Sequence, residues 1–348
     1  MKFFFDIGHP AHVHYFKNLI QRLKAKGHSV IISSRDKEMA HYLLKQLNLD
    51  YYNRGRGAEG LMGKIIYTIK ADIQLFRYAK YHNPDLFISF GSPYAAHVAS
   101  LMGKPHIVLD DTENASIGQF LYRPFSDVIL TPDSFEKDFG KKHVRFSSYM
   151  ELSYLHPNVF TPDESIFNCL NISPGQQYVL MRFVGWGAVH DIGHKGLTLA
   201  NKIKVVNEIS KYARVFISSE KALPEELQKY ELKIPKHLIH HVIAYSSMFY
   251  GESATMASES AVLGVPAIYI DNEGRGYTHE QEKKYGLVFN FTESREDQEM
   301  SINKAIEIIS RYDNVKWKSA KETLLEDKID LTSFMEDFIL SSFHKHLA

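Results

Sequence analysis

Three histidines fall within the six residues HPAHVH, at positions 9, 12 and 14, directly after the apolar run KFFFDIG. Two more, His190 and His194, lie in RFVGWGAVHDIGHKG, which carries four glycines in 15 residues (182–196). Histidine changes charge near neutral pH, so such clusters suit proton transfer, anion binding or metal ligation. Neither cluster is joined by a cysteine or carboxylate at a recognised ligand spacing, and 18 histidines make chance grouping easy. No metal is therefore expected.

The stretch GESATMASESAVLGVPAIYID, residues 251–271, runs from small and hydroxyl residues into an apolar strand. At a helix start, Ser253, Thr255 and nearby backbone N–H groups would offer a seat for a pyrophosphate. Glu259, one turn on, would reach past the phosphates to a ribose diol, for which a carboxylate has two acceptor oxygens. The competing reading makes Ser253 or Thr255 a helix cap and Glu259 a solvated first-turn acid, and composition alone favours it. In RFVGWGAVHDIGHKG the glycines permit close approach of backbone N–H groups to phosphate, with the next helix adding its positive end. It is neither a G-x-G-x-x-G fingerprint nor a P-loop, and a mobile surface loop weighs equally.

These residues need a scaffold, and the chain alternates short apolar runs with amphipathic stretches. KFFFDIG, HSVIISS, DLFISFG, HIVLDD and DVILTP read as strands, with YFKNLIQRLKAKG, LLKQLNL, IIYTIKADIQLFRYAKYH and AAHVASLMG as helices between them. Residues 150–175 hold three prolines and read as a linker. A second set follows, with strands YVLMRF, RVFISS, SMFYG and PAIYID and helices that include LPEELQKY. Such alternation predicts open, doubly wound parallel sheets, which bind ligands beyond the carboxyl ends of their strands. The stretches DIGHPAHVH, SFGSPYAAH, DDTEN (residues 110–114), 182–196 and 251–271 all fall there.

The 348 residues are comfortable for two domains, and 41 Lys plus Arg balance 41 Asp plus Glu. Nothing global draws such a chain to nucleic acid or an anionic membrane, though a local basic face remains open. The single cysteine, Cys169, fits a reducing compartment. Asp6 interrupts the first apolar run before a signal-peptide core forms, and no stretch approaches ~20 apolar residues. A cytoplasmic protein is expected. Its aromatic-rich end, SFMEDFILSSFHKHLA, reads as a docking helix, with membrane-surface contact as the alternative.

GESATMASESAVLGVPAIYID resembles the donor-site signature of two-domain GT-B enzymes, among them lipid-II N-acetylglucosaminyltransferase and the UDP-N-acetylglucosamine 2-epimerases. GHPAHVHYFKNLIQRLKAKGHSV and DLFISFGSPYAAHVASLMGKPHIVLDDTENA are similar to the acceptor-domain motifs of those enzymes. The closest resemblance, carried by RFVGWGAVHDIGHKG, GESATMASESAVLGVPA and KKYGLVF, is to the family designated domain of unknown function 354. It covers most of residues 1–290. The resemblance implies an α/β GT-B fold, two Rossmann-like doubly wound domains facing across a cleft.

By the same resemblance Glu259 matches the ribose-binding Glu. Ser253, Ala254 and Thr255 match the phosphate turn, Gly185 and Gly187 the donor-domain glycine loop, and Glu280 and Gln281 the donor-sugar contacts. His12 matches a histidine assigned as catalytic base or acceptor ligand. His190 or Lys195 would neutralise the departing diphosphate. Gly8, His9, Ser92, Asp110 and Asp111 fall on the acceptor side. The epimerases carry a catalytic Asp where this chain has Ser92, which weakens that reading.

The resulting expectation is a sugar-nucleotide-dependent glycosyltransferase of cell-surface or capsular polysaccharide and glycoconjugate assembly. A UDP-sugar would be donor to an unknown acceptor, with no required cofactor. The alternatives are a UDP-sugar 2-epimerase-like isomerase and a non-catalytic nucleotide-binding protein. Domains are expected at 1–155 and 156–320, with C-terminal helices from 321–348 packing back on the first.

Overall fold

In a computed structural model of the chain, residues 1–37, 39–58, 60–184, 196–219 and 221–346 are described. The chain forms two compact units, Met1–Val159 with Ile329–Ala348, and Phe160–Lys328.

Unit 1 begins with β1 (Lys2–Ile7), α1 (Pro10–Ala25), β2 (Ser29–Ser34), α2 (Ala40–Gln46) and β3 (Tyr52–Asn53). It continues through α3 (Leu61–His82), β4 (Leu86–Phe90), α4 (Pro93–Leu101), β5 (His106–Leu109) and α5 (Ser116–Tyr122). After a 3₁₀ turn, Arg123–Phe125, come β6 (Val128–Pro132), β7 (His143–Phe146) and α6 (Leu152–Leu155). All seven strands are parallel, in the order β3-β2-β1-β4-β5-β6-β7.

The strands read as unbroken apolar runs because a parallel sheet is covered on both faces. Phe3, Phe4 and Phe5 are all buried in β1, which lies between β2 and β4 with Phe4 opposite both Ile31 and Phe87. Strand order reverses at β1/β4, and right-handed crossovers then put α1 and α2 on one face and α3, α4 and α5 on the other. Leu75, Ala79, Val98 and Ala99 from α3 and α4 accordingly pack with Phe4 and Phe87.

Unit 2 holds α7 (Ile166–Leu170), β8 (Tyr178–Phe183), α8 (Leu199–Ile209), β9 (Arg214–Ser219), α9 (Ile239–Tyr245) and β10 (Met248–Gly251). Then follow α10 (Ala254–Leu263), β11 (Ala267–Ile270), α11 (Gly276–Tyr285), β12 (Val288–Phe291), α12 (Arg295–Ser310) and α13 (Asn314–Asp327). Its five parallel strands run β12-β11-β10-β8-β9, so the order reverses at β8/β10. Both units thus have the doubly wound architecture of GT-B proteins.

The last helix, α14 (Leu331–His346), belongs to unit 1 and buries Leu331, Met335 and Ile339. Arg22 and Lys26 of α1 pair with Glu336 at 3.4 and 2.7 Å, and Thr332 donates to the Ser153 carbonyl at 2.7 Å. The aromatic-rich end is therefore a docked helix.

One local expectation changes. LPEELQKY is not an α-helix: Glu225–Tyr230 is a 3₁₀ segment that starts after Pro224, with Leu227 N–H bonded to the Pro224 carbonyl three residues back. The stretch 150–175 contains the boundary between the units, at Val159/Phe160, and on either side of it α6 and α7 bury Leu152, Leu155, Ile166 and Phe167.

Candidate functional site

In unit 1 the reversal at β1/β4 brings a buried ion pair to the strand ends. The Asp6 carboxylate, wholly buried near the end of β1, accepts from Ser33 Oγ at 2.6 Å and Ser92 Oγ at 2.5 Å. Arg54 answers its charge, with Nε 3.1 Å from Oδ1 and Nη2 donating to Oδ2 at 3.2 Å. The same guanidinium stacks over Tyr94 at 4.6 Å and donates to the Tyr67 hydroxyl at 3.2 Å. Ser92 also N-caps α4, accepting from Ala95 N–H at 3.3 Å, ahead of Pro93 at the first helical position. The position where the epimerases carry an acid is thus a serine bound to a carboxylate supplied by β1.

Gly8 and His12 adjoin this pair. A Cβ on Gly8 would lie 3.5 Å from the His12 ring and 3.8 Å from Arg54 Nη2. Gly8 N–H donates to His12 Nδ1 at 3.2 Å, so the neutral ring carries its hydrogen on Nε2. Burial first, then His9, Lys37 and Arg54, holds the His12 imidazolium well below its ordinary pKa. As it stands the ring offers an N–H donor, and taking a proton at Nε2 requires the Gly8 contact to break first. His9 N-caps α1, its Nδ1 accepting from Ala11 N–H at 3.2 Å. His14 instead stacks on Tyr154.

Asp110 and Asp111, beyond β5, engage a different set. Asp110 accepts from Tyr122 at 2.6 Å, Thr112 N–H at 3.0 Å and Gln119 at 3.3 Å. Burial raises its pKa against those hydrogen bonds. Burial pushes Asp111 well above the usual carboxylate range, with the buried Glu151 and Asp110 adding repulsion. A folded carboxyl that holds its proton more tightly than the unfolded one stabilises fully below pH ~3.9, and that stability fades as pH rises toward the folded pKa. Asp111→Asn is therefore expected to raise stability at pH 8 by at least on the order of 1 kcal/mol and to change little at pH 4. Denaturant melts at the two pH values measure this.

In unit 2, Gly251 ends β10 against β8: a Cβ there would sit 2.3 Å from the Arg182 carbonyl oxygen, so only glycine fits. Glu252 follows, buried, and its two oxygens accept from Val184 N–H at 2.9 Å and Leu197 N–H at 2.6 Å, with Lys202 at 3.5 Å. One carboxylate thus holds both flanks of segment 185–195. Gly185, Gly187, His190 and Lys195 lie outside the described residues. Ahead of α8, Gly196 N–H donates to Glu293 and the N-cap Thr198 N–H to Gln298, while Thr198 Oγ1 accepts from Asn201 N–H at 3.2 Å.

The start of α10 is capped in the same way. Ser253 is its N-cap, accepting from Met256 N–H at 3.3 Å, as the capping reading expected. Ala254 and Thr255 hold the first two helical positions, with their N–H groups at the start of the helix. Glu259, sixth in the helix, is buried, which excludes the solvated first-turn acid. Its Oε1 lies 2.9 Å from Nε2 of the buried His240 on α9. On α11 the amide of Gln281 donates to Ser258 Oγ at 2.8 Å, beside Glu259, whereas Glu280 pairs with Lys328 at 3.0 Å. Gln281 joins the α10 group; Glu280 is turned to another partner.

Asp6, Arg54, Glu252 and His240 escape the sequence reading. Asp6 and Glu252 carried a signal, a lone acid at the end of an apolar strand. Arg54 and His240 carried none, since their partners lie 48 and 19 residues away. Among the described residues no group of three or more His, Cys, Asp or Glu could hold a metal ion.

The chain is 25% identical over 273 residues to the uncharacterized protein MJ0665 of Methanocaldococcus jannaschii, covering 76% of this chain and 80% of that one. Its fold matches a UDP-GlcNAc 2-epimerase from Neisseria meningitidis bound to UDP-GlcNAc, with TM-score 0.69, 13% identity and coverage of 99% and 100%. It also matches MurG from Acinetobacter baumannii, with TM-score 0.61, 14% identity and coverage of 98% and 100%. At these identities the structures share the fold. The sequence profile described as "Protein of unknown function (DUF354)" matches residues 1–332, and the chain belongs to that family.

Proposed function

We propose that this protein is a sugar-nucleotide-dependent glycosyltransferase that takes a UDP-sugar in unit 2 and an acceptor in unit 1, of the kind used in cell-surface polysaccharide assembly. The observation that carries the reading is the start of α10, where two helix N–H groups precede a buried carboxylate braced by His240. Such N–H groups favour a diphosphate, and Glu259 suits a ribose diol. Gln281 stands beside it for the donor sugar. The fold neighbour bound to UDP-GlcNAc makes uridine the first base to try.

In this reading His12 donates a hydrogen bond from Nε2 to the acceptor. Acceptor deprotonation falls to a carboxylate of unit 1, with Asp110 and Asp111 as the candidates. Gly8, His9 and Ser92 line the acceptor side.

Calorimetric titration with UDP tests the donor site. Wild type should bind, and Glu259→Ala should bind at least about tenfold more weakly while keeping its thermal transition. Failure of the folded wild-type protein to bind UDP, GDP, ADP or CMP would sink the assignment. A second reading, sugar-nucleotide 2-epimerisation, draws on the buried cluster of Asp110, Asp111 and Glu151, since acids placed together by burial can divide acid and base roles. UDP-GlcNAc incubated alone separates the two, because only an epimerase changes the sugar without an acceptor.

A further inference from the structure

The large apolar side chains left exposed are concentrated on one layer of unit 1. Ile66 and Ile69 on α3 are 60% and 57% exposed, and Ile117 and Phe120 on α5 are 81% and 77% exposed. Ile73 on α3, Leu101 at the end of α4 and Phe125 after α5 add to the same surface. On α3 the spacing of 66, 69 and 73 is that of one helical face, and Lys70, Arg77 and Lys80 stand exposed on it. All these helices cover the sheet face reached after the strand order reverses, so their outer sides form one surface. They are tied edge to edge: His97 of α4 bonds Asp72 of α3 at 2.9 Å and the Leu121 carbonyl of α5 at 3.3 Å.

The charge on this layer is lopsided. Segments 60–82, 93–104 and 115–125 contain six Lys and Arg against one acid, Asp72, in a chain whose net charge is zero. Asp72 is already bound to His97, leaving the outer cations without an acidic counterpart on α3–α5. A second copy packed isologously on this face would set cation against cation. Exposed apolar side chains ringed by cations match a surface with an apolar interior and an anionic skin.

We infer that the outer face of α3, α4 and α5 docks unit 1 on an anionic lipid surface. Ile66, Ile69, Ile73, Ile117 and Phe120 enter the acyl boundary, and Lys70, Arg77 and Arg123 meet headgroup phosphates. No described helix is long and apolar enough to cross a membrane, so the attachment is peripheral. The inference stands on binding alone and needs no assigned activity.

Sedimentation of the full chain with vesicles tests it. Vesicles of phosphatidylcholine with about 30 mol % phosphatidylglycerol should take up at least about tenfold more protein than phosphatidylcholine alone. Raising the salt to about 0.5 M should release most of it. The triple variant Ile69→Asp/Ile73→Asp/Phe120→Asp should lose binding to both vesicle types, and Lys70→Glu/Arg77→Glu only the anionic preference. Exposed positions tolerate these changes, which a circular dichroism melt verifies. Unchanged sedimentation of both variants, or no uptake of wild type by anionic vesicles, overturns the inference. So does a wild-type dimer in analytical ultracentrifugation that the triple variant converts to monomer, since a second copy would then own the face.

Discussion

Asp6→Ala is expected to lower the stability of unit 1 by about 3–5 kcal/mol, a fall in Tm on the order of 10 °C. The loss is that large because Arg54 stays behind, buried beside Tyr94 with its charge unanswered, and Ser33 and Ser92 lose their acceptor. Arg54→Met in the same chain removes the stranded charge, so Asp6→Ala/Arg54→Met should recover most of the loss. Differential scanning calorimetry of the two singles and the double gives the coupling directly. A double variant no more stable than Asp6→Ala would mean that the guanidinium matters through its stacking rather than through its charge.

The same residue shows how far the chain can be read without coordinates. The apolar runs of β1, β4 and β8 and the helical spacing of α1 declare themselves, because burial on both faces of a parallel sheet leaves little room for polar residues. The capping role of Ser253 was legible for the same local reason. The pairing of Asp6 with Ser92 was not, since 86 residues separate them and only the strand order brings them together. His9, His12 and His14 looked like one cluster; α1 turns them to a cap, a backbone contact and a stacking partner. Glu259 stands out in the sequence as a carboxylate among hydroxyls, but its burial against His240 depends on α9, which no local pattern announced.

Glu252 carries the second large effect. Its two oxygens serve Val184 and Leu197, and Lys202 lies near one of them. Two N–H donors need two acceptors, so Glu252→Gln should fare almost as badly as Glu252→Ala: the new amide would turn a donor toward a donor. Each variant is expected to cost about 2–4 kcal/mol in unit 2 and to weaken UDP binding at least about tenfold by releasing the flanks of segment 185–195. Urea unfolding and the UDP titration measure the two effects separately. Equal UDP affinity in Glu252→Gln and wild type would detach the carboxylate from the donor site, leaving it a purely structural clamp.

The return of α14 to unit 1 has a consequence for how the chain is made. A ribosome delivers strands β1 to β7 first, then all of unit 2, and only then the helix whose Leu331, Met335 and Ile339 bury with α1 and α6. At ordinary elongation rates the wait is on the order of ten seconds. Throughout it the α1 surface is open to solvent, and Arg22 and Lys26 stand without Glu336. Of the two units, the one that begins earlier in the chain is thus completed later, and a nascent chain that stops before Leu331 carries an unclosed flank for chaperones to hold.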